Sequence, residues 1–207
     1  MQNYQDYGFN DPAACHMHRH LAPVILDFAK KLPVGSRVLD VGCGNGALCA
    51  NLLAEGYDVT GIDPSESGIA VARATYPKGK FHVGFVNEHL PHVLGQASFD
   101  LLVSTEVIEH VYAPRTFVKA CFQLLRPGGL LILSTPYHGY LKNLAISLAG
   151  HWDAHANPLW DGGHIKLWSR KTLSTLLLES GFEAPEFRGL GRLPFLWMSM
   201  ILAARRP

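Results

Sequence analysis

The sequence has little excess of charge of either sign, and this limits the kinds of partner that the protein can bind. Its 207 residues include 18 lysine and arginine residues and 17 aspartate and glutamate residues, for a formal net charge of +1. Proteins that bind a nucleic acid backbone carry a basic field, because each neutralised phosphate adds to the affinity. No basic run here is longer than the two residues Arg205-Arg206. The charge therefore disfavours nucleic acid as a partner and favours a small molecule.

Cysteine is scarce, and a long apolar run is missing. The four cysteines lack CxxC spacing and fall mostly at apolar positions of predicted elements, which favours free thiols in a reducing compartment. The first eleven residues are polar and aromatic, so the sequence predicts no signal peptide. No apolar run approaches the roughly 20 residues that a membrane-spanning helix needs. We therefore expect a cytoplasmic protein without a transmembrane segment.

The apolar pattern alternates between strand and helix along most of the chain. With 48% hydrophobic residues, the length suits one domain over 1–207, and 1–35 forms an N-terminal cap segment. Predicted strands lie near 38–41, 58–63, 80–86, 99–104 and 130–134, and predicted helices lie at 18–31, 47–55, 66–75 and 114–125. A helix capped by Ser169 ends at Gly181, and two closing strands follow over 183–188 and 195–204. This alternation predicts an α/β fold with a parallel sheet covered on both sides.

The segment 136–163 departs from this alternation. It is rich in aromatic and imidazole side chains, namely Tyr137, His138, Tyr140, His151, Trp152, His155 and Trp160. Long irregular insertions after the carboxyl end of a strand are where α/β folds place lids and substrate walls. We therefore expect 136–163 to be a substrate-side insertion.

A glycine-rich turn follows the first strand. Val38 to Gly46 reads Val-Leu-Asp-Val-Gly-Cys-Gly-Asn-Gly, a strand that ends in an acid and continues into three alternate glycines. Such a turn lets a ligand lie directly against backbone, and the helix after it points free N–H groups at the ligand. A loose G-x-G-x-x-A match leaves a nicotinamide or flavin site open. Asp40 argues against a pyrophosphate there and suits a cationic ligand instead.

Four motifs in order resemble those of class I S-adenosylmethionine-dependent methyltransferases. They are Val-Leu-Asp-Val-Gly-Cys-Gly-Asn-Gly, Gly-Ile-Asp-Pro-Ser, Phe-Asp-Leu-Leu-Val-Ser-Thr-Glu-Val-Ile-Glu-His-Val and Leu-Leu-Arg-Pro-Gly-Gly-Leu-Leu-Ile-Leu-Ser-Thr-Pro, within roughly residues 20 to 190. The resemblance implies a doubly wound, seven-stranded, mostly parallel Rossmann-like sheet with an antiparallel C-terminal hairpin. It also implies S-adenosylmethionine as the cofactor, bound at the carboxyl ends of the first strands.

The resemblance carries cofactor roles onto individual residues. Asp63 is expected to hold the two ribose hydroxyls, because an acid at a strand end can accept two O–H bonds from a cis diol. Glu106 is expected to shape the cofactor pocket. The remaining assignments are Asp40, Gly42, Cys43 and Gly44 at the methionine end, Pro64 beside the adenine, and Glu88 near the adenine amino group.

The cluster Glu106-Val-Ile-Glu109-His110 follows the fourth strand and brings two carboxylates and an imidazole together. It resembles a motif of the ubiquinone-biosynthesis O-methyltransferases and of the metal-assisted small-RNA 2′-O-methyltransferases. In the latter a further histidine lies four residues before a tryptophan, as His164 does before Trp168. One interpretation is a magnesium, manganese or zinc ion held by Glu106, Glu109, His110 and His164. The others are that His110 is a general base oriented by Glu109, or that the cluster only shapes the pocket.

We therefore expect an S-adenosylmethionine-dependent methyltransferase that acts on oxygen. The expected acceptor is a small hydroxylated molecule, quinol-like, catechol-like or a natural product. A metal-assisted RNA 2′-O-methyltransferase is one alternative, and a non-catalytic S-adenosylmethionine-binding partner protein is another. The sequence leaves the oligomeric state open.

Overall fold

The computed structural model describes residues 6, 8–14, 16–87, 89–90, 94 and 99–207. Within these residues, seven strands form one sheet and helices flank it. The strands are β1 (Arg37–Val41), β2 (Asp58–Asp63), β3 (Lys80–Val83), β4 (Phe99–Thr105), β5 (Leu125–Pro136), β6 (Glu186–Leu190) and β7 (Ser199–Arg205). The helices are α1 (His18–Ala29), α2 (Ala47–Ala54), α3 (Glu66–Thr75), α4 (Pro114–Leu124), α5 (Tyr140–Leu148), α6 (Trp152–His155) and α7 (Arg170–Glu179).

The strand order is β3-β2-β1-β4-β5-β7-β6. The first five strands of this order pair in parallel, whereas β7 pairs antiparallel with both β5 and β6. This confirms the predicted seven-stranded fold with its antiparallel C-terminal hairpin. The order reverses between β1 and β4, and open α/β sheets bind ligands at the carboxyl ends of strands beside such a reversal.

Both faces of the sheet are packed. In β4, Leu102 belongs to the apolar layer that includes α4 and α7, whereas Leu101 and Val103 belong to the layer that includes α1 and α2. All three side chains are fully buried. The near-continuous apolar sequence of β4 follows from this two-sided burial, since neither face meets water.

Helix α7 is defined at both ends by local chemistry. Ser169 and Thr172 form a reciprocal capping box at the start, which confirms the cap predicted for Ser169. Gly181 takes a φ of +94° just beyond the end, and the following Phe182 packs edge-on against Phe122, with ring centroids 5.0 Å apart. This contact fixes α7 against α4.

The segment 136–163 is less irregular than expected, because it contains helices α5 and α6. The prediction of an irregular segment was wrong here because α5 carries apolar residues on its exposed surface as well as facing the interior. Tyr140, Leu141, Leu144 and Leu148 are all exposed, and the one buried residue of α5 is Lys142, so this helix shows no helical period of buried apolar residues.

Some boundaries also differ from the sequence prediction. Strand β5 begins at Leu125, which we expected to be the last residue of the helix 114–125, because Leu125 pairs with Phe99 ahead of an irregularity in the ladder. The third strand ends at Val83, and the last begins at Ser199. Among the described residues, no helix combines the length and apolarity that a membrane crossing requires.

Candidate functional site

The glycine turn after β1 is built for close approach of backbone to a ligand. Gly42, Gly44 and Gly46 have φ values of +78°, +50° and +81°, a region that L side chains rarely adopt. At Gly42 a side chain would also overlap the Cγ2 atom of Val107. The turn therefore requires glycine at this position for space as well as for conformation.

Asp63 ties this turn to the end of β2. Its Oδ2 accepts a 2.8 Å hydrogen bond from the Gly44 N–H, and its Oδ1 accepts a 2.8 Å bond from the Ser65 N–H. Burial raises the pKa of Asp63, and the two backbone donors oppose that rise. Each carboxylate oxygen has a further lone pair for a ligand hydroxyl. Asp63 and Pro64 both line the central cavity, where the sequence expected the ribose and the adenine.

Asp40 is almost completely buried at the carboxyl end of β1. Cys49 Sγ donates to its Oδ2 at 3.2 Å, whereas Oδ1 has no partner among the described residues. Burial raises the pKa of Asp40 to about 7. An unpartnered carboxyl oxygen on a cavity wall is suited to accept a ligand N–H or to face a cationic group. Gly42, Cys43 and Gly44 line the same wall beside Asp40. Their role at the methionine end of the cofactor stays a prediction.

The N-terminal segment lies against this turn, which the sequence did not indicate in detail. The Asn45 side-chain amide donates to the backbone oxygens of Asp11 and Ala13, at 3.0 and 2.9 Å. The Phe9 N–H donates to Ser67 Oγ at 3.0 Å, and Phe9 and Ala13 line the cavity. Phe9 and Ala13 thus form part of the cavity wall beside the glycine turn. Glu88, predicted near the adenine, lies outside the described residues.

Glu106 follows β4 in a left-handed backbone conformation, with φ of +54°. Its Oε1 accepts hydrogen bonds of 2.7 Å from the hydroxyls of both Ser134 and Ser199. The carboxylate therefore joins the ends of β4, β5 and β7. A non-glycine residue in this conformation costs about 1–3 kcal/mol and is found preferentially at functional sites. Glu106 lines the cavity, but its hydroxyl partners hold it apart from the group described next.

Glu109 is the opposite case, because it is buried with little compensation: its own N–H and the Thr135 hydroxyl lower its pKa only in part. Only 1% of its surface is exposed, and neither carboxylate oxygen has a well-aligned hydrogen-bond partner in the part of the chain that the structure describes. Burial, together with the charge of Glu106, raises the pKa of Glu109 to about 8. Buried carboxylates without partners are costly and commonly mark a missing cation or ligand.

His110 has a defined tautomer. Its Nδ1 lies 2.7 Å from the backbone oxygen of Gly162 and 3.1 Å from that of Gly163. A carbonyl oxygen can only accept, so Nδ1 carries the proton and Nε2 has the lone pair of the neutral ring. The ring is thus oriented by the 156–163 loop, and not by Glu109 as the general-base interpretation supposed. Nε2 is available as a base or as a metal ligand.

Glu109, His110 and His164 come together as one group of possible ligands. One donor atom from each lies within 4.8 Å of the other two, and this is the one such group among the described residues. The His110 and His164 rings meet edge to face, with centroids 4.9 Å apart. Burial and the neighbouring His110 lower the pKa of His164 to about 4, so its ring is neutral near pH 7. A carboxylate and two neutral imidazoles fit a divalent cation such as zinc or manganese.

One cavity of about 2520 Å³ connects these features. It extends from the glycine turn past His110 and His164 to helices α5 and α6. Lys142 of α5 and Arg192 of the loop before β7 also line it, and neither was predicted from the sequence. The sequence feature that could have pointed to Lys142 is that it is the one charged residue in α5.

Comparison with known proteins agrees with this geometry. The sequence model of a family described as "Methyltransferase domain" matches residues 14–186. The ubiquinone biosynthesis O-methyltransferase of Aromatoleum aromaticum is 33% identical over 164 residues, which cover 77% of this chain and 69% of that protein. That of Bradyrhizobium diazoefficiens is 31% identical over 166 residues, which cover 78% of this chain and 64% of that protein.

A solved structure of an S-adenosylmethionine-dependent methyltransferase from Methanosarcina mazei shares the fold. Its TM-score is 0.67 at 23% identity, and the match covers 89% of this chain and 97% of that one. The chain therefore belongs to the methyltransferase-domain family and is an S-adenosylmethionine-dependent methyltransferase, which confirms the resemblance seen in the four motifs. It spans about two thirds of the length of the two O-methyltransferases.

Proposed function

We propose that this enzyme methylates a hydroxyl oxygen of a small catechol-like or quinol-like acceptor. The observation that carries the proposal is the convergence of Glu109, His110 and His164 on the cavity that also contains the glycine turn. Hydroxyl oxygens need help in losing a proton, and this group can give it. The names of the two similar proteins, both O-methyltransferases of ubiquinone biosynthesis, support oxygen as the target.

At the end of the cavity beside the glycine turn, the protein must bind and orient the cofactor. S-adenosylmethionine supplies the methyl group as a sulfonium, which is a good leaving group for displacement by oxygen. Asp63 accepts hydrogen bonds from the ribose, and the glycine turn admits the cofactor close to backbone. Holding the acceptor oxygen in line with the methyl carbon can contribute roughly 7–11 kcal/mol to the lowering of the barrier. The walls of the cavity therefore carry much of the catalysis.

We propose further that Glu109, His110 and His164 hold a divalent cation. The fit rests on the burial of the Glu109 carboxylate without a well-aligned partner among the described residues and on the tautomer of His110, since metal-binding histidines commonly donate their other N–H to a backbone carbonyl. A cation there would supply Lewis acidity that lowers the pKa of an acceptor hydroxyl. Glu106 is left out of this ligand set because its carboxylate is engaged by Ser134 and Ser199.

The test is turnover of labelled S-adenosylmethionine against catechols, quinols, carboxylates, amines and short RNAs, each with chelator or with added magnesium, manganese or zinc. We expect O-methylation of catechols or quinols that depends on the cation. Methylation of amines or RNA alone would contradict the acceptor class. Full activity with chelator would leave His110 Nε2 as the general base that takes the hydroxyl proton, without a cation.

A further inference from the structure

The end of the cavity beyond His164 is lined by basic side chains. Lys142, at the start of α5, is 7% exposed, and its ammonium has one hydrogen bond among the described residues, a 3.3 Å bond to the Met198 backbone oxygen. An ammonium has three donors, so this contact leaves most of its capacity unused. Burial of a cation with so little compensation is costly.

The groups around Lys142 do not neutralise it. Burial lowers the pKa of Lys142, and the nearby positive charge of Arg192 lowers it further; Arg192 itself forms no ion pair with the described residues. Glu106 also acts on Lys142 electrostatically, but its carboxylate is hydrogen-bonded to two serines, and no Lys142–Glu106 ion pair is formed. Positive charge therefore exceeds negative charge at this end of the cavity.

His155 of α6 also lines this wall, and His138 packs against it. His155 Nε2 is buried and has no hydrogen-bond partner in the described part of the chain. The rings of His155 and His138 pack edge to face with centroids 5.2 Å apart, and His138 Nδ1 is 3.2 Å from Asn143 Oδ1. Burial lowers the pKa of His155, and the positive charge of Lys142 lowers it further, so the two side chains lie within electrostatic range of each other. In the tautomer that carries its proton on Nε2, His155 can donate to an anionic ligand group together with the ammonium.

Apart from Lys142, the part of the wall that α5 contributes is small and apolar. Residues 142, 145, 146 and 149 follow helical spacing and all line the cavity, so one face of α5 presents Lys142, Ala145 and Ile146, and Ala149 continues this face just after the helix ends. A flat apolar body fits against such a face, with its charged substituent at the lysine.

We propose that the acceptor is an aromatic hydroxy acid whose carboxylate is bound by Lys142, Arg192 and His155. The placement of its ring hydroxyl at His110 and His164 rests on the proposed O-methyltransferase function, whereas the carboxylate subsite does not. Burial holds the pKa of both His138 and His155 below the ordinary value, which leaves Lys142 as the buried cation. With Lys142 and Arg192 positive and Glu106 negative, the net charge of these three groups is +1, which a singly charged carboxylate matches better than a doubly charged phosphate does.

The test compares protocatechuate, a catechol with a ring carboxylate, with its primary amide. Both are titrated calorimetrically into the enzyme bound to S-adenosylhomocysteine, so no methyl transfer is required. Because a hydrogen bond to a charged partner is worth about 1.5–3 kcal/mol, we expect the acid to bind about 10-fold to 100-fold more tightly. Equal affinities for acid and amide would overturn the carboxylate subsite.

Single substitutions test which residues cause the acid to bind more tightly than the amide. Lys142→Met should reduce the acid-to-amide ratio to about one while leaving affinity for S-adenosylmethionine unchanged. The matched control is Lys171→Met, at an exposed position of α7, which should keep the full preference. Arg192→Gln, in an exposed loop, should weaken the same preference and serves as the reporter if Lys142→Met does not fold. Loss of S-adenosylmethionine affinity with an intact preference for the acid would overturn the assignment of Lys142.

Turnover separates the two proposals. Preferential binding of protocatechuate without its methylation, under any cation, would contradict the proposed O-methylation and leave the carboxylate subsite standing. If the enzyme methylates both the acid and the amide and binds them with equal affinity, the proposed O-methylation stands and the carboxylate subsite is contradicted.

Discussion

The Nδ1 atom of His110 lies 2.7 Å from the backbone oxygen of Gly162, fifty-two residues further along the chain. This hydrogen bond joins the segment after β4 to the end of the loop that precedes His164. It fixes the tautomer of His110 and brings the two histidines edge to face. The same contact therefore both orients a reactive nitrogen and closes the candidate cation site around Glu109.

Glu109→Gln should abolish stabilisation of the protein by a divalent cation. A cation at 100 times its dissociation constant stabilises the folded state by about 2.7 kcal/mol, which is measurable as a shift in melting temperature. The glutamine keeps the shape of the side chain but loses the charge that a cation needs. Zinc or manganese should thus raise the melting temperature of the wild type and of the exposed control Glu183→Gln, but not that of Glu109→Gln. An equal rise in all three would contradict the ligand set.

The sheet was predictable because its signals are local. Strand β4 is a near-continuous apolar run, and α4 repeats its buried residues at helical spacing, so each element can be predicted from a short stretch of sequence. Helix α5 was not predictable in this way, since its exposed Leu144 and Leu148 blur the period. Its interior face is occupied by Lys142, a residue type that is seldom buried.

The site was predictable in part. Glu109 and His110 belong to a contiguous motif, and the resemblance added His164 to them from a distant segment. The hydrogen bond from Ser199 to Glu106 could not be predicted from the sequence, because it depends on how β7 inserts between β5 and β6. Contacts of this kind arise from tertiary structure, and no spacing in the sequence encodes them.

Asp63→Ala should weaken binding of S-adenosylmethionine by about 1–3 kcal/mol, the range for losing hydrogen bonds to a charged group. The variant removes the acceptors proposed for the ribose and also releases the Gly44 and Ser65 N–H groups. Titration calorimetry measures the affinity directly. Asp58→Ala, at the other end of β2 in an exposed ion pair with Lys80, is the matched control and should bind normally. Unchanged affinity in Asp63→Ala would refute the ribose assignment.

Asp40 should make stability depend on pH. Its pKa rises from 3.8 to about 7 on folding, so between these values the folded state binds the extra proton and the free energy of unfolding falls as pH rises. Each tenfold difference in proton affinity corresponds to about 1.4 kcal/mol. Asp40→Asn removes this dependence, so urea denaturation should show the variant gaining stability over the wild type from pH 4 to about pH 7. Parallel pH profiles would show that Asp40 is not buried as described.

Gly42→Ala should destabilise the protein far more than Gly128→Ala. Both glycines have positive φ values, +78° and +75°, so both substitutions carry the conformational cost of about 1 kcal/mol. A Cβ at Gly128 meets nothing within 4 Å, whereas at Gly42 it overlaps the Val107 side chain. Overpacking of this kind typically adds about 1–3 kcal/mol. Thermal melts compare the two variants, and calorimetry with S-adenosylmethionine should show lost affinity for Gly42→Ala alone. Equal losses of stability would mean that the Val107 side chain moves aside at little cost. The turn would then need glycine for its conformation and not for space.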